Sequence, residues 1–451
     1  MSRPEPVSVP VKRPRDPRID AFRGLALVMI FIDHVPGNPY EHWTIRNFGF
    51  SDAAEAFFVM SGIAAGLAYS GRFAAPQIRL NGLWAAIRPI WGRSWTLYIV
   101  HVLLSAWAIA IFAWGAMALG VPELLTKINL RQVFENTAEA LIGIPLLTHQ
   151  FGYVNILPAY SVLLLFAPLA IFIGMRAPRL MVSVAIAIWF VAGMWRLDLP
   201  NYPNPGGWFF NPLSWQIIFV LGLLTGIHMR RGERFVARRR WLFWLAVAFL
   251  GGVFLWAQIP ALGQQMNALM RQAGQAGLPF HLVGFDKTYV SLPRMLHVLA
   301  LFYVLSCLPA VVRLAGSRVA APLRLMGRHG LLVFSFGTAV SLLFQVLMAG
   351  YPDLALLPWL LPPLGVAAML VAAMLAQAAR REPRRVPLPV AQPVTDPVPE
   401  PLTDPVTAPA GPLPEAAAVA AAVPCPDCSA DPLPATVLPS GGRAPGLQPA
   451  E

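Results

Sequence analysis

In the stretch RIDAFRGLALVMIFIDHVPGN, residues 18–38, an aspartate and a histidine stand side by side at the end of an apolar run. A histidine of ordinary pKa, ~6.5, takes up a proton at neutral pH, so His34 is a candidate general base. Its neighbour Asp33 is badly placed to orient it, because adjacent helix residues point about 100° apart. The orienting carboxylate is expected from another segment, with Asp52, Glu55 or Asp286 as candidates. His34, Asp33, Asp52 and Glu55 form the candidate catalytic group. A second set has the character of a substrate site: Asn211, Trp215 and Gln216, then Asp286 and Lys287, then Arg294 and His297, with His149 from an earlier loop. The i,i+3 spacing of Arg294 and His297 puts both on one helix face. Arg294 suits an oxyanion or a donor carboxylate. Arg23, Arg88 and Arg93, close to Arg72 and Arg79, include candidates for holding the phosphates of a donor, since a guanidinium matches phosphate geometry.

The elements that must position these residues are set by composition. Of 451 residues, 57% are hydrophobic and 12% charged, half the ~25% charged share of a soluble protein. A water-soluble globule and a globally disordered chain are both excluded. Runs such as Trp241 to Ile259 and Leu354 to Gln377 reach the ~20 residues a bilayer-crossing helix needs. An all-α, polytopic membrane bundle is predicted, with ten spans near residues 20–37, 53–70, 95–119, 154–175, 179–196, 212–229, 241–259, 293–313, 330–349 and 355–378. An interfacial helix is expected before the third span, where Leu83, Trp84, Ile87, Ile90 and Trp91 alternate with Arg88 and Arg93. The short apolar stretch Leu141 to Leu147 is expected to be re-entrant.

Charge sets the orientation. With the N-terminus inside, 27 of the 34 lysines and arginines fall in inner segments; the outer ones are Arg46, Lys127, Arg131, Arg196, Arg271, Lys287 and Arg294. That bias predicts both termini cytoplasmic. It also accounts for the net charge of +12 without nucleic acid, since the basic residues sit between apolar runs. His34 then lies about 20 Å from the inner end of its helix, in the outer half of the membrane. His42, His149, His281 and His297 share that side, while His101, His228 and His329 are inner or central. Ionisable residues are costly in a bilayer, and together this set predicts a polar cavity open to the outside. Trp43, Trp208, Phe209, Phe210 and Trp215 offer faces for stacking on a sugar ring; taken singly, each fits an interfacial aromatic belt as well.

The chain organises into a basic segment 1–17, a membrane body 18–380 and a tail 381–451. The tail holds 18 prolines in 71 residues and an alanine-rich run at 416–422, a composition expected to be disordered. The start reads as no secretory signal. Three cysteines, Cys307, Cys425 and Cys428, make no disulfide framework. CPDC at 425–428 lacks the partner pair of a zinc site, so no metal is expected. No Walker-type loop points to ATP.

The run RDPRIDAFRGLALVMIFIDHVPGNPYEHWTIRNFGFSDAAEAFFVMSG, residues 15–62, resembles the opening of the OpgC family. LPAY at 157–160, GGWFFNPLSWQIIFVLG at 206–222, FDK at 285–287 and the Arg294/His297 pair extend the likeness over about 18–380. The pattern FVFLSG is replaced here by FFVMSG, and the proline-rich tail lies outside it. The resemblance implies a membrane acyltransferase, related to the acyltransferase 3 superfamily, that adds succinyl groups to osmoregulated periplasmic glucans. It implies a catalytic histidine at His34, a cytoplasmic acyl-CoA (succinyl-CoA) co-substrate with no bound cofactor, a periplasmic glucan acceptor, and residence among the lipids of a bacterial inner membrane. The residues alone leave a rival open: a transporter of a solute or glycan could use the same intramembrane Asp, His and Arg residues as a proton relay.

Overall fold

A computed structural model describes residues 16–380. The tail 381–451, with Cys425 and Cys428, and nearly all of the basic N-terminal segment lie outside the described residues. The described part is helical, and it has no β-strand; one isolated bridge joins Pro200 to Gly207.

The main helices are α1 (Pro17–Asp33), α2 (Ala53–Tyr69), α3 (Ala75–Ala118), α4 (Ile156–Arg176), α5 (Pro178–Trp195), α6 (Pro212–Arg231), α7 (Arg240–Gln258), α8 (Pro260–Gln275), α9 (Leu292–Cys307), α10 (Pro309–Gly316), α11 (Ala321–Arg328), α12 (Gly330–Gly350) and α13 (Leu357–Ala379). Eight segments are long and apolar enough to cross a membrane, and α9 with α10 make a ninth if that bent pair is one span. The chain is therefore a multi-pass membrane protein. The first expected span corresponds to α1, whose 17 residues fall just short of that length.

Two expectations are corrected. The stretch expected as a separate interfacial helix is the N-terminal part of α3. That helix runs 44 residues through a break at Gly82, where φ is 77°, with Pro89 inside. A positive φ is free of steric cost only at glycine, so Gly82 breaks the segment into two helical parts, and the stretch from Leu83 onward runs through Pro89 directly into the expected third span. The eighth span is not straight: α9 and α10 meet at 81°. Leu308 is extended (φ −88°, ψ 115°) ahead of Pro309, because the proline ring forces the preceding residue out of helical geometry.

Helices in lipid associate through close packing rather than a hydrophobic drive, and small residues let backbones approach. Here α2 and α6 carry matched glycines four apart. A Cβ on Gly62 would stand 2.1 Å from the Phe219 carbonyl oxygen and one on Gly66 2.3 Å from that of Leu223. Reciprocally, Gly222 and Gly226 face the carbonyls of Val59 and Ile63 at 2.3 and 2.2 Å. This seam is the most enclosed part of the bundle, whereas α7 is the least enclosed candidate span, with Trp241, Trp244 and Leu245 facing outward. A similar contact ties α1 to α11, where Gly24 meets the Leu323 carbonyl and Gly327 that of Asp20.

Candidate active site

The C-terminus of α1 and the N-termini of α2 and α9 converge at one end of the bundle, together with the loop 285–287. Asp52 is the N-cap of α2. Its carboxylate accepts from Ala54 N at 2.8 Å, and Asp52 N donates to Glu55 Oε2 at 2.9 Å. Such a reciprocal cap satisfies two helix-end donors and fixes both carboxylates. What remains of each carboxylate meets cations. Arg294, on α9, donates through Nε to Glu55 Oε1 at 2.6 Å and through Nη2 to Asp52 Oδ2 at 3.1 Å. Lys287 Nζ lies 2.5 Å from Asp52 Oδ2. Two anions face two cations, so the group is neutral, and Glu55 is fully buried within it. Buried charge is tolerated only when paired in this way.

His297 stands one turn beyond Arg294. Its Nδ1 takes the Ser51 N–H at 3.3 Å and lies 2.7 Å from Ser51 Oγ. A backbone N–H can only donate, so Nδ1 is the acceptor and a neutral ring carries its proton on Nε2. Arg294 and His297 thus grip three residues of one segment, Ser51, Asp52 and Glu55.

His34 is the C-cap of α1. Its ring packs on Tyr153 with centroids 4.5 Å apart, and its carbonyl accepts from Gln345 Nε2 on α12 at 2.8 Å. Among the described residues, no hydrogen bond reaches either ring nitrogen. The expected orienting carboxylate is therefore not bonded to His34: Asp52 and Glu55 are held by Arg294 and Lys287. Asp286 is exposed and accepts from Tyr289 N at 2.9 Å. The charges that act on the His34 ring are Lys287 and Asp52. Asp33 points elsewhere, accepting from Thr44 Oγ1 at 2.7 Å with Arg46 Nε at 3.7 Å.

The remaining candidates serve the scaffold of this end. Trp215 Nε1 donates to the Lys287 carbonyl at 3.1 Å and so holds the loop that presents Lys287. Asn211 caps α6 and donates to the Leu197 carbonyl at 2.7 Å. Gln216 donates to the Ala185 carbonyl at 2.7 Å. His149 is buried, with Nδ1 3.5 Å from Asn204 Nδ2, and burial pushes its pKa down. The stacking expectation is corrected for Trp208, Phe210 and Trp215, which are buried. Phe210 and Trp215 pack on each other and on Phe58, and Trp208 donates its indole N–H to the Pro200 carbonyl at 3.1 Å, so none of the three has a free face to offer a ligand. Trp43 and Phe209 remain exposed.

Toward the opposite end of α1, Arg23 reaches the Gly327 carbonyl at 3.5 Å. Arg88 is exposed and Arg93 half-buried on α3, where Arg93 and Arg72 act on Tyr69. Between α1, α12 and α13 a narrow cavity of about 10 Å³ is lined by Leu27, Phe31, His34, Gly337, Thr338 and Met369.

Sequence reasoning missed Ser51, Thr44, Arg46 and Tyr153. The pattern Asp-x-x-Glu at 52–55, just before an apolar run, is a readable helix-start signal, and it would have marked residues 51–55 as one unit.

No curated protein matches the chain. A family model described as OpgC protein matches residues 15–381, which take in every helix and every site residue described above. The chain, a multi-pass helical membrane protein, belongs to the OpgC protein family.

Proposed function

We propose that this protein is an integral-membrane O-acyltransferase that moves an acyl group, succinyl by the family's character, from cytoplasmic acyl-CoA to sugar hydroxyls of a periplasmic glucan. One observation carries the reading: His34 presents a ring with no hydrogen-bond partner among the described residues, beside the Asp52–Glu55–Lys287–Arg294 group, in a chain of the OpgC family. A general base needs a free nitrogen to receive a proton, whereas His297 has its Nδ1 engaged by Ser51.

In the reaction, His34 takes the proton of a glucosyl hydroxyl as its oxygen attacks the thioester carbonyl. The tetrahedral intermediate then expels the CoA sulfur, which receives that proton, and the sugar keeps the ester. Lys287, the cation whose field reaches the ring, stabilises the oxyanion. Arg294 is occupied by both carboxylates and positions them. The cavity below His34 supports an approach for the donor arm along α1, since the unbranched Met369 side chain forms its wall and can change rotamer. The bias of basic residues supports cytoplasmic termini, an inner-membrane location, and a donor held near Arg23, Arg88 or Arg93.

Mass spectrometry of periplasmic glucans from cells with the wild type and with His34→Ala tests this directly. Acylated glucan in the wild type and none in the variant, at equal membrane levels, is the expected result. Unmodified glucan in both overturns the reading and leaves the transporter. Acyl-CoA hydrolysis by purified protein, with and without glucan, gives the same decision in vitro.

A further inference from the structure

Beside the site, three aromatic rings from distant parts of the chain form a corner. Phe50 meets Trp256 at 5.0 Å between centroids and 85° between planes. Trp256 meets Phe285 at 5.7 Å and 87°, and Phe50 meets Phe285 at 4.7 Å. They line an open cleft of about 460 Å³ with Gln264, Asn267 and Gly263 of α8, a size within the ~300–1,000 Å³ of small-ligand sites. Asn267 Oδ1 accepts from Trp256 Nε1 at 3.1 Å, which fixes the indole plane. Gly263 is buried against the Trp256 carbonyl, 2.9 Å from where a Cβ would stand, so α8 comes in close.

Three properties define the occupant. The lining contains no ionisable side chain, which disfavours a phosphate headgroup or a free anion. Aromatic faces carry negative quadrupole density and suit the C–H faces of a pyranose. The two amides offer both donors and acceptors for hydroxyls. The cleft is also continuous with the site through the chain itself: Phe50 precedes Ser51 and Asp52, Phe285 lies two residues before Lys287, and the Phe50 ring is 6.2 Å from that of His297.

We propose that this cleft is an acceptor subsite that holds glucose units of a neutral glucan while a neighbouring unit reaches His34. This deepens the acyltransferase reading and rests on it for the identity of the acceptor. The cleft replaces the buried Trp208, Phe210 and Trp215 as the stacking surface.

The test uses full-length protein in lipid nanodiscs, as wild type, Trp256→Ala, Gln264→Trp and Trp244→Ala. Trp256→Ala removes the central ring, Gln264→Trp fills the cleft from an exposed position, and Trp244→Ala controls for loss of an outward-facing ring on α7. Binding of maltohexaose, cellohexaose and laminarihexaose is read by calorimetry, and acyl transfer to glucan by KM and kcat. The expected result is that at least one hexasaccharide binds the wild type, that Trp256→Ala and Gln264→Trp weaken it about tenfold, ~1.4 kcal/mol, and that KM for glucan rises by a similar factor. Should Trp256→Ala not fold, Gln264→Trp alone decides. Unchanged binding and KM in the cleft variants, or an equal effect from Trp244→Ala, overturns the subsite and leaves an interfacial aromatic corner. If the wild type transfers no acyl group, the acyltransferase reading fails. Cleft-dependent hexasaccharide binding would then still support the subsite, and its absence in the wild type would overturn it.

Discussion

The two ends of the helix bundle both gather charge and use it differently. Around His34, side chain meets side chain: Asp52 and Glu55 with Lys287 and Arg294. At the other end, arginines mostly meet backbone. Arg230 donates to the Leu67 carbonyl at 2.8 Å, Arg231 to that of Met175 at 3.0 Å, Arg234 to that of Ser306 at 3.3 Å, and Arg324 to those of Ala315 and Ser317 at 2.5 and 2.6 Å. Those carbonyls are the unpaired ends of helices, where cations are favoured by the helix dipole. A cation on a helix terminus asks for no particular partner. A four-membered ion group does, and it fixes three separate segments relative to one another.

Breaking the ionic end should cost far more than breaking the arginine end. His34→Ala should lower acyl transfer about 10²–10⁴-fold with normal membrane levels, read by initial rates in nanodiscs; near-wild-type transfer would remove His34 from the mechanism. Arg294→Met should leave Glu55 buried without its cation, a loss of ~3–5 kcal/mol. That loss is read as a lower thermal midpoint in detergent, and Arg294→Met combined with Glu55→Gln should recover part of it. No recovery would mean the group is not coupled as drawn. At the opposite end, the exposed Arg230, whose Nη1 donates to the Leu67 carbonyl at 2.8 Å, should cost below ~1 kcal/mol on change to alanine. A drop comparable to that of Arg294→Met would erase the contrast.

The smallest effect concerns Asp198, in the loop beyond α5. Burial raises its pKa from 3.8 to about 6. Between those values the folded state binds more protons than the unfolded one, so the Asp198 contribution to stability grows as pH falls from 7 towards 4. Asp198→Asn should flatten that slope by less than ~1 kcal/mol, because the carboxyl is partly exposed. Thermal midpoints at pH 4 and 7 check the sign; a steeper slope in the variant would reverse it.

Much of this architecture was legible in the residues. The ten apolar runs each correspond to a helix or a bent helix pair, because span length is a local property of composition. The joining of the stretch from Leu83 to the third span escaped notice because Pro89 looks like a terminator; the helix continues through it, and the break falls earlier, at Gly82. At the site, the residue types around His34 pointed to one polar end, and Arg294 and His297 do share a helix face. Their partners were not readable, because Ser51 and Glu55 are more than two hundred residues away in sequence. The aromatics misled for a related reason. Trp215 and Trp256 look alike in the chain, yet one is enclosed by Phe58 and Phe210 while the other stands over a cleft that exists only once α7, α8 and the loop near Phe285 meet.

The glycine seam between α2 and α6 has a mechanical consequence. With carbonyls of each helix pressed where the other has no Cβ, neither helix can slide or roll without backbone overlap. The carboxylates at the head of α2, and the Trp215 of α6 that pins the Lys287 carbonyl, therefore act as a stator. In the proposed reaction, motion that admits a donor would come from the facing wall of the narrow cavity. There the nearest atoms to a Cβ on Gly337 of α12 belong to the flexible Met369 side chain, its sulfur at 3.0 Å, and a rotamer change there makes room.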